Sequence, residues 1–338
     1  MKTYLVTLTP QESYFFGNEK TFLFEKEDNQ GQRGNSYYIR SERTPLQSTL
    51  MGMMRYIVMP YKDHVHPNEN SPIIGSESFK IDAENQSFGV IKKIHPLFLM
   101  KDGERFVTTP FDCKPKVTAY MPFSNYQSVK SAEGEKLFTS DYDMKDGLTD
   151  SYMSLSDGTL VQCDDIFGAD VRVGILKTTE GKNQKGFFKK EMMYLKNDYR
   201  FAFYVELDDS AVIPYGSDTI AFLGQGKSLF KVSFEEQENT LEEDILKLLP
   251  DDVSYCMSDV FADSSILNCC NFAIIQTRDY RAYITNADGR ISKDSVLYKL
   301  IKAGSVFRVT DKKQFDALTK KMNCQLAGYN CIVSKEEI

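Results

Sequence analysis

Two arginines, Arg40 and Arg43, stand immediately before the predicted start of an amphipathic helix. The first turn of a helix presents unpaired N–H groups and the positive end of the helix dipole, so it can bind a phosphate. Guanidinium groups beside that turn would add positive charge to the same site. The spacing therefore predicts a phosphate site at this helix tip. An ordinary capped helix with solvated arginines is the alternative.

The helix itself is predicted over residues 45–59. Thr44 is the candidate N-cap, Pro45 takes the first helical position and Gln47 the third, which makes a capping box. Pro60 ends the pattern. Apolar residues recur at helical spacing and predict one buried stripe: Leu46, Leu50, Met53, Met54, Ile57 and Val58.

A second candidate for phosphate contact is the segment LGQGKS, residues 223–228, which is predicted to join two strands. Gly224 and Gly226 would let backbone N–H groups approach a ligand closely, and Lys227 would supply charge. The segment lacks the spacing of a nucleotide-binding P-loop.

Catalytic and metal-binding patterns are weak. His64 and His66 could supply two metal ligands, but no cysteine lies near them, so we expect no metal and no cofactor. His95, which precedes Pro96, is predicted at a strand end. The sequence contains no HExxH, GxSxG or dinucleotide-binding fingerprint.

The charge is unevenly distributed along the 338 residues, whose net charge is −7. Residues 172–200 hold eight Lys or Arg against three acids, and residues 235–263 hold ten acids against one lysine. A net negative chain is a poor free-standing binder of nucleic acid. The asymmetry instead predicts one face for a polyanion and another for a basic protein neighbour, with two solvated faces as the alternative.

The composition indicates a cytoplasmic protein. No run of about 18 apolar residues predicts a membrane span, and the polar start MKTYLVTLTP reads as a first strand rather than a secretory signal. Seven cysteines without a CxxC pair favour reduced, buried thiols.

The predicted elements mix strands and helices without regular alternation, which indicates an α+β fold with antiparallel sheets. A hairpin is expected to turn at Asp102–Gly103, and a longer one at about 171–195 has the lysine-rich tip EGKNQKG. Residues 60–90 are expected to be an irregular insertion and 121–165 a long, partly mobile loop. An acidic helix is predicted at LEEDILKLL.

Several short segments, in this order, resemble the RAMP superfamily of CRISPR proteins. They are residues 14–17 (YFFG), 19–22 (EKTF), 38–41 (YIRS), 45–52 (PLQSTLMG) with Arg55, 172–175 (RVGI), 223–226 (LGQG), 303–307 (AGSVF) and 328–330 (GYN). The pattern is most similar to the third subunit of type III-B (Cmr) effector complexes, which caps the 5′ tag of the CRISPR RNA (crRNA).

This resemblance implies two ferredoxin-like (RRM-like) domains, at 1–236 and 237–338, with an insertion at about 60–165. It implies a non-catalytic subunit without a cofactor. The expected partners are the crRNA 5′ tag, the large polymerase/cyclase-like subunit, the backbone RAMP subunits, and the target RNA duplex, into which the 171–195 hairpin presses as a thumb.

Carried onto this chain, the resemblance assigns RNA contact to the first helix, the glycine-rich turn and the thumb. The residues so assigned are Arg40, Arg43, Gln47, Ser48, Thr49, Arg55, Lys182, Lys185, Lys189, Lys190, Gly224, Gly226 and Lys227. Tyr37, Tyr38 and Phe16 are possible stacking surfaces, with core packing as the alternative for each.

Three other functions remain open at this point. One is a metal-independent RAMP endoribonuclease that processes crRNA, for which His64 or His66 with Lys62 could supply acid and base. The second is the equivalent tag-capping subunit of a type III-A complex. The third is a structural adaptor that makes no RNA contact.

Overall fold

The structure is a computed structural model, and the predicted α+β class with antiparallel sheets is confirmed. The residues it describes are 1–17, 21–27, 33–60, 62, 67–75, 78–83, 86–131, 134–143, 145, 147–176, 186–214, 216, 218–224, 226–285 and 291–335.

The strands of the first part of the chain are β1 (Lys2–Pro10), β2 (Thr21–Glu27), β3 (Arg33–Arg40), β4 (Ile91–Ile94), β5 (Phe98–Lys101), β6 (Glu104–Thr108), β7 (Tyr126–Ser131), β8 (Gly134–Thr139), β9 (Ser151–Ser154), β10 (Leu160–Gln162), β11 (Phe167–Leu176), β12 (Gly186–Leu195), β13 (Arg200–Leu207), β14 (Thr219–Leu223) and β15 (Ser228–Glu236). The later strands are β16 (Ser254–Cys256), β17 (Cys270–Ile274), β18 (Thr277–Tyr280), β19 (Tyr283–Thr285), β20 (Ile291–Lys293), β21 (Tyr298–Ile301), β22 (Val306–Val309) and β23 (Ile332–Ser334).

The helices are α1 (Gln47–Val58), α2 (Pro67–Ile74), α3 (Cys163–Ile166), α4 (Leu241–Leu248), α5 (Lys312–Thr319) and α6 (Met322–Leu326), with a 3-10 helix at Ser264–Cys269. Among the residues described, no helix is long and apolar enough to cross a membrane. All seven cysteine side chains are buried and free.

A nine-stranded sheet organises the N-terminal two thirds of the chain. Its strand order is β10-β9-β6-β5-β13-β1-β15-β14, and β4 also pairs with β13. β13 is buried on both faces because one face packs under α1 and the other under α4 and the C-terminal strands β16 and β23. The sheet therefore separates two apolar cores, one on each face.

The structure also contains two smaller, four-stranded sheets. One has the order β11-β12-β3-β2, and its β12–β3 ladder is parallel. The other, β17-β22-β16-β23, is antiparallel and carries α5, whose Phe315 ring meets Phe307 edge-on at 5.4 Å. The first of these sheets positions the candidate site.

Both predicted hairpins are present. Asp102 and Gly103 have φ angles of +51° and +82°, and a type I′ two-residue turn requires a positive φ at both positions. β11 and β12 pair over their full length from Phe167↔Leu195 to Leu176↔Gly186. The tip of this longer hairpin lies outside the described residues.

The expected loop at 121–165 is wrong. It contains the β7–β8 hairpin, and β9 and β10 extend the large sheet at β6. All four residues of β9 are buried, and the Ser151 hydroxyl is satisfied by Thr109 Oγ1 at 2.7 Å. Buried serines with partners gave the segment the composition of a loop.

The insertion at 60–90 is also more ordered than expected, since it contains α2 with Pro72 inside it. Phe79, Ile81 and Phe88 from the same insertion are buried in the main apolar core. The polar residues around them concealed this contribution in the sequence.

The predicted capping box is wrong as well. α1 begins at Gln47, and the N-cap position is Leu46, which has no side-chain cap. Instead, Tyr329 Oη accepts a hydrogen bond from the Ser48 N–H at 3.1 Å and donates one to Ser48 Oγ at 3.1 Å. The C-terminal segment of the chain thus closes the start of α1.

We predict that Tyr329→Phe destabilises the protein by about 1–3 kcal/mol, because the half-buried N–H and hydroxyl of Ser48 lose their partner, the buried Tyr329 hydroxyl. Urea denaturation at constant pH would measure the free energy of unfolding. Tyr56→Phe is the matched control, since Tyr56 is 43% exposed on the same helix. Equal stability of the two variants would refute the role assigned to Tyr329.

Candidate nucleic-acid interface

The parallel ladder between β3 and β12 assembles a basic, aromatic surface. Tyr38 lies opposite Lys189, and Arg40 lies opposite Glu191. Lys189 Nζ is 5.1 Å and Arg40 Cζ 5.5 Å from the centroid of the Tyr38 ring. We call these four residues the Tyr38 face. Two cations beside one aromatic ring are an arrangement suited to single-stranded nucleic acid.

Glu191 orients this face from within. The Tyr38 hydroxyl donates to the Glu191 carboxylate, and Arg40 Nε donates to Tyr38 Oη at 3.0 Å and to Glu191 at 3.3 Å. These bonds raise the pKa of Arg40, with the Tyr38 hydrogen bond as the largest cause. Lys189 is exposed and forms no ion pair with the other residues that the structure describes, so it leaves a positive charge at the surface.

Adjacent residues of a strand point to opposite faces, so Lys190 points away from Lys189. Its Nζ lies 4.1 Å from the centroid of the Phe15 ring. Directly across the antiparallel ladder from Lys190 is Arg172 of β11. We call Lys190, Arg172 and Phe15, with the turn at 224–227, the Lys190 face.

Like charges directly opposite each other in a sheet are destabilising. The pKa of Lys190 is accordingly lowered, first by its partial burial and then by the charge of Arg172. Arg172 has Asp170 as a partner at 3.0 Å, two residues along its own strand. The Lys190 face thus holds two cations next to each other with one carboxylate.

The glycine-rich turn packs against the same aromatic residue. Ser228 Oγ accepts from the Phe15 N–H at 3.0 Å, and a Cβ on Gly224 would lie 3.3 Å from the Phe15 carbonyl oxygen. Gly224 has φ +71° and Lys227 has φ +49°. Gly226 and Lys227 are exposed, and a Cβ on Gly226 would lie 3.8 Å from Lys190 Nζ. The assigned turn therefore meets the assigned Lys190 at Gly226.

The residues of α1 that were assigned to RNA are placed differently. Gln47 is buried, and its Nε2 donates to the Gly328 carbonyl at 3.1 Å. Ser48 is engaged by Tyr329, and the N–H groups of Thr49 and Leu50 donate to Leu46 O. Three N–H groups of the first turn of α1, those of Ser48, Thr49 and Leu50, therefore already have partners within the protein and are not available to a phosphate.

Arg55 also turns inward. Its guanidinium stacks over the Phe88 ring at 5.1 Å, and burial lowers its pKa to about 10. Lys182 and Lys185 of the predicted thumb, and His64 and His66, lie outside the described residues. Phe16 is a core residue, packed against Tyr14 and Phe230, and the Tyr37 side chain is not described.

Arg43 lies in a cleft of about 600 Å³ between the segment that follows β3, the loop before β9, and the C-terminal part of the chain. Its Nη1 donates to both carboxylate oxygens of Asp150, at 2.6 and 2.8 Å. Arg278 lines the same cleft and is held between Asp259 at 3.2 Å and Glu42 at 3.4 Å. Arg40 and Glu191 stand at the point where the cleft meets the Tyr38 face.

The acidic stretch at 235–263 is less available to a partner than its sequence predicts. Five of its ten acids form ion pairs within the protein: Glu236 with Lys2, Asp244 with Arg105 and Lys247, Asp251 with Lys335, Asp252 with Arg308, and Asp259 with Arg278. Five acids of the stretch are exposed and outside these pairs: Glu235, Glu238, Glu242, Glu243 and Asp263, of which Asp263 accepts a hydrogen bond from the Ser265 N–H at the start of the 3-10 helix.

Sequence reasoning missed Arg172, Phe15, Asp150 and Arg278 as parts of these surfaces. Arg172 could have been found from the sequence. If the two strands of the predicted hairpin are paired symmetrically about its tip, Arg172 lies across from the lysines at 189–190. The other three could not be found in this way, since they come from distant parts of the chain.

Comparisons with known proteins agree with this fold. The family model described as CRISPR-associated protein (Cas_Cmr3) matches residues 82–248. A chain in the cryo-EM structure of the type III-B Cmr-beta bound to cognate target RNA is similar, with TM-score 0.56, 11% identity and coverage of 99% of this chain and 97% of that one. A chain in state 1 of Cmr-beta bound to cognate target RNA and AMPPnP gives TM-score 0.53, 11% identity and coverage of 98% and 96%. No curated protein matches.

The fold is α+β with mostly antiparallel sheets, and it is similar over nearly its whole length to a chain in the type III-B Cmr-beta structures. Together with the family match, this confirms the resemblance drawn from the sequence. The chain resembles the CRISPR-associated Cmr3 proteins, and residues 82–248 carry the match to that family.

Proposed function

We propose that this protein is the non-catalytic subunit that binds the crRNA 5′ tag and supports assembly in a type III-B CRISPR effector complex. The observation that carries the proposal is the Lys190 face, where Lys190 and Arg172 stand opposite each other beside an exposed glycine turn. The similarity to type III-B structures supports this complex over its type III-A counterpart.

A polyanion explains why the two cations are adjacent. In the free protein, the protonated form of Lys190 is disfavoured first by partial burial and then by the charge of Arg172. A phosphate between the two groups would reverse that interaction and form charge-assisted hydrogen bonds to both. Exposed Gly226 leaves room for a backbone to approach Lys190. The Lys190 face therefore suits phosphates, independent of RNA sequence.

The Tyr38 face adds a stacking surface on the other side of the same sheet. Its ring is held in place by Glu191, and Lys189 and Arg40 are close enough to contact the phosphates of a nucleotide that lies on it. Of the thirteen assigned residues, we retain Arg40, Arg43, Lys189, Lys190, Gly224, Gly226 and Lys227. Gln47 and Arg55 are left out because the protein buries them.

The remaining parts of the proposal concern assembly. We propose two domains, 1–236 and 237–338, and contacts with the large polymerase/cyclase-like subunit and the backbone RAMP subunits in the cytoplasm. The β11–β12 hairpin would reach the guide–target duplex. Exposed Glu235, Glu238, Glu242 and Glu243 are the surface we assign to a basic protein neighbour.

Alanine at Lys189 and Lys190 tests the RNA-binding role. In the assembled complex, the double variant should bind crRNA about tenfold or more weakly and lower the salt slope of the affinity by about 1–2, because phosphate contacts are lost. A filter-binding titration at several salt concentrations measures both. The single variants separate the two faces, since the two side chains point in opposite directions.

The matched control removes the same charge elsewhere. Lys299 and Lys312 are also exposed lysines, and they pair with Asp279 and Asp316. Their double alanine variant should keep both the affinity and the salt slope. Loss of crRNA affinity to the same extent in the two double variants would contradict a specific role for Lys189 and Lys190.

A non-catalytic role is supported by the surroundings of His95. Its Nε2 is bonded to Glu206 at 2.8 Å and its Nδ1 to Asn239 at 2.9 Å, and burial lowers its pKa. Both ring nitrogens are thus occupied within the protein. This histidine is poorly placed to act as an acid or base toward RNA.

We therefore expect the purified protein to leave labelled CRISPR repeat RNA intact in EDTA over a long incubation. The sample should be matched by one with His64 and His66 both replaced by alanine. Metal-independent cleavage that disappears in this variant would establish the endoribonuclease function instead.

A further inference from the structure

The cleft beside the Tyr38 face has a volume of about 600 Å³. This size falls within the range of about 300–1,000 Å³ that is common for sites that bind small molecules. Apolar and aromatic side chains contribute much of its lining: Phe111, Leu148, Tyr152, Phe167 and Met193. Arg43 Cζ lies 5.9 Å from the centroid of the Phe167 ring, so charged and aromatic groups meet inside the cleft.

The charges that line the cleft compensate each other. Four cations, Arg40, Arg43, Arg278 and Lys302, face five acids, Glu42, Asp150, Asp164, Glu191 and Asp259. The three arginines are each bonded to at least one of these carboxylates, and Lys302 Nζ donates to Gln276 at 3.3 Å. A phosphate would meet no surplus positive charge here, whereas a neutral planar group would meet apolar walls and polar edges.

The cleft continues the surface that we assign to RNA. Ala169, Glu191 and Met193 line it, and they lie on the same face of the hairpin sheet as Lys189 and Tyr38 by strand alternation and register. A strand with its phosphates beside Lys189 and Arg40 therefore passes the mouth of the cleft.

We propose that this cleft receives a single unstacked nucleobase of the bound guide strand, while the phosphates on either side stay on the basic surface. The inference rests on the proposed function and adds to it a site for one base. Phosphates bound at the Tyr38 face and the Lys190 face carry no sequence information. The cleft is therefore the place where this protein would distinguish one base of the guide from another.

Filling the cleft tests the inference. Ala169 is exposed on β11 and lines the cleft, whereas Val171 is 46% exposed two residues further along the same face and does not line it. Ala169→Phe should block the base, and Val171→Phe adds an aromatic ring outside the cleft as its matched control. Thermal unfolding of both variants verifies that each is folded.

The readout is the affinity of the assembled complex for guides that lack one base at a time along the tag. With the wild-type protein and Val171→Phe, one abasic position should weaken binding about tenfold, the scale expected for one stacked base. With Ala169→Phe, the intact guide should bind as weakly as that abasic guide, and removal of the base should have no further effect.

Two results would overturn the inference. One is an abasic penalty of the same size in Ala169→Phe and Val171→Phe. The other is failure of Ala169→Phe to assemble with protein subunits in the absence of RNA, which would mean that the cleft takes a side chain of a protein neighbour.

Lys189→Ala and Lys190→Ala, measured alongside, separate this inference from the proposed function. If the lysine variants bind crRNA more weakly while Ala169→Phe keeps the wild-type affinities for the abasic guides, only the inference of a base site is refuted. Unaltered crRNA binding by both lysine variants removes the RNA-binding function itself, and the base site with it.

Discussion

The parallel pairing of β3 with β12 is the constraint on which the proposed RNA surface depends. It joins residues about 150 positions apart in the chain and sets Arg40 and Tyr38 beside Glu191 and Lys189. Beyond the strand end, the Ser41 N–H donates to Glu191 O at 2.9 Å, and Ser41 Oγ accepts from the Phe16 N–H at 2.8 Å. The same short segment thus fixes both the hairpin and the loop that carries Phe15.

A chain with net charge −7 can present a basic surface because many of its carboxylates form ion pairs within the protein. Asp150, Glu191 and Asp259 each bind an arginine, and half of the acids at 235–263 have partners within the fold. Lys189, Lys190 and Lys227 are exposed or partly exposed and stand outside such pairs among the described contacts. Local charge, which decides polyanion binding at short range, therefore differs in sign from net charge.

The start of α1 shows a competition between two uses of a helix terminus. Its first-turn N–H groups would attract a phosphate if they were free. The C-terminal segment occupies one of them, since the Ser48 N–H donates to Tyr329 Oη, and the Gln47 side chain donates to the Gly328 carbonyl. A helix end buried in this way ties the last strand of the chain to its first helix, and anion binding is left to side chains elsewhere.

The class of fold, both hairpins and the buried face of α1 could be predicted from the amino-acid sequence, and so could the resemblance to the RAMP superfamily. These depend on local patterns: alternation of polar and apolar residues, turn residues that accept a positive φ, and short ordered motifs. The cluster of lysines at 182–190 could be found in the same way, since the charge of a segment follows from its residues alone.

The grouping of the assigned residues on shared surfaces depends on tertiary contacts. Arg40 meets Lys189 and Glu191, and Gly226 meets Lys190, through a β-ladder and a turn between segments far apart in the chain. Gln47 and Arg55 were turned inward by the C-terminal segment and by Phe88, which no local pattern records. The burial and the ion pairing of a side chain depend on residues from other segments that pack against it. For this reason the candidate cations could be predicted from the sequence, but their partners could not.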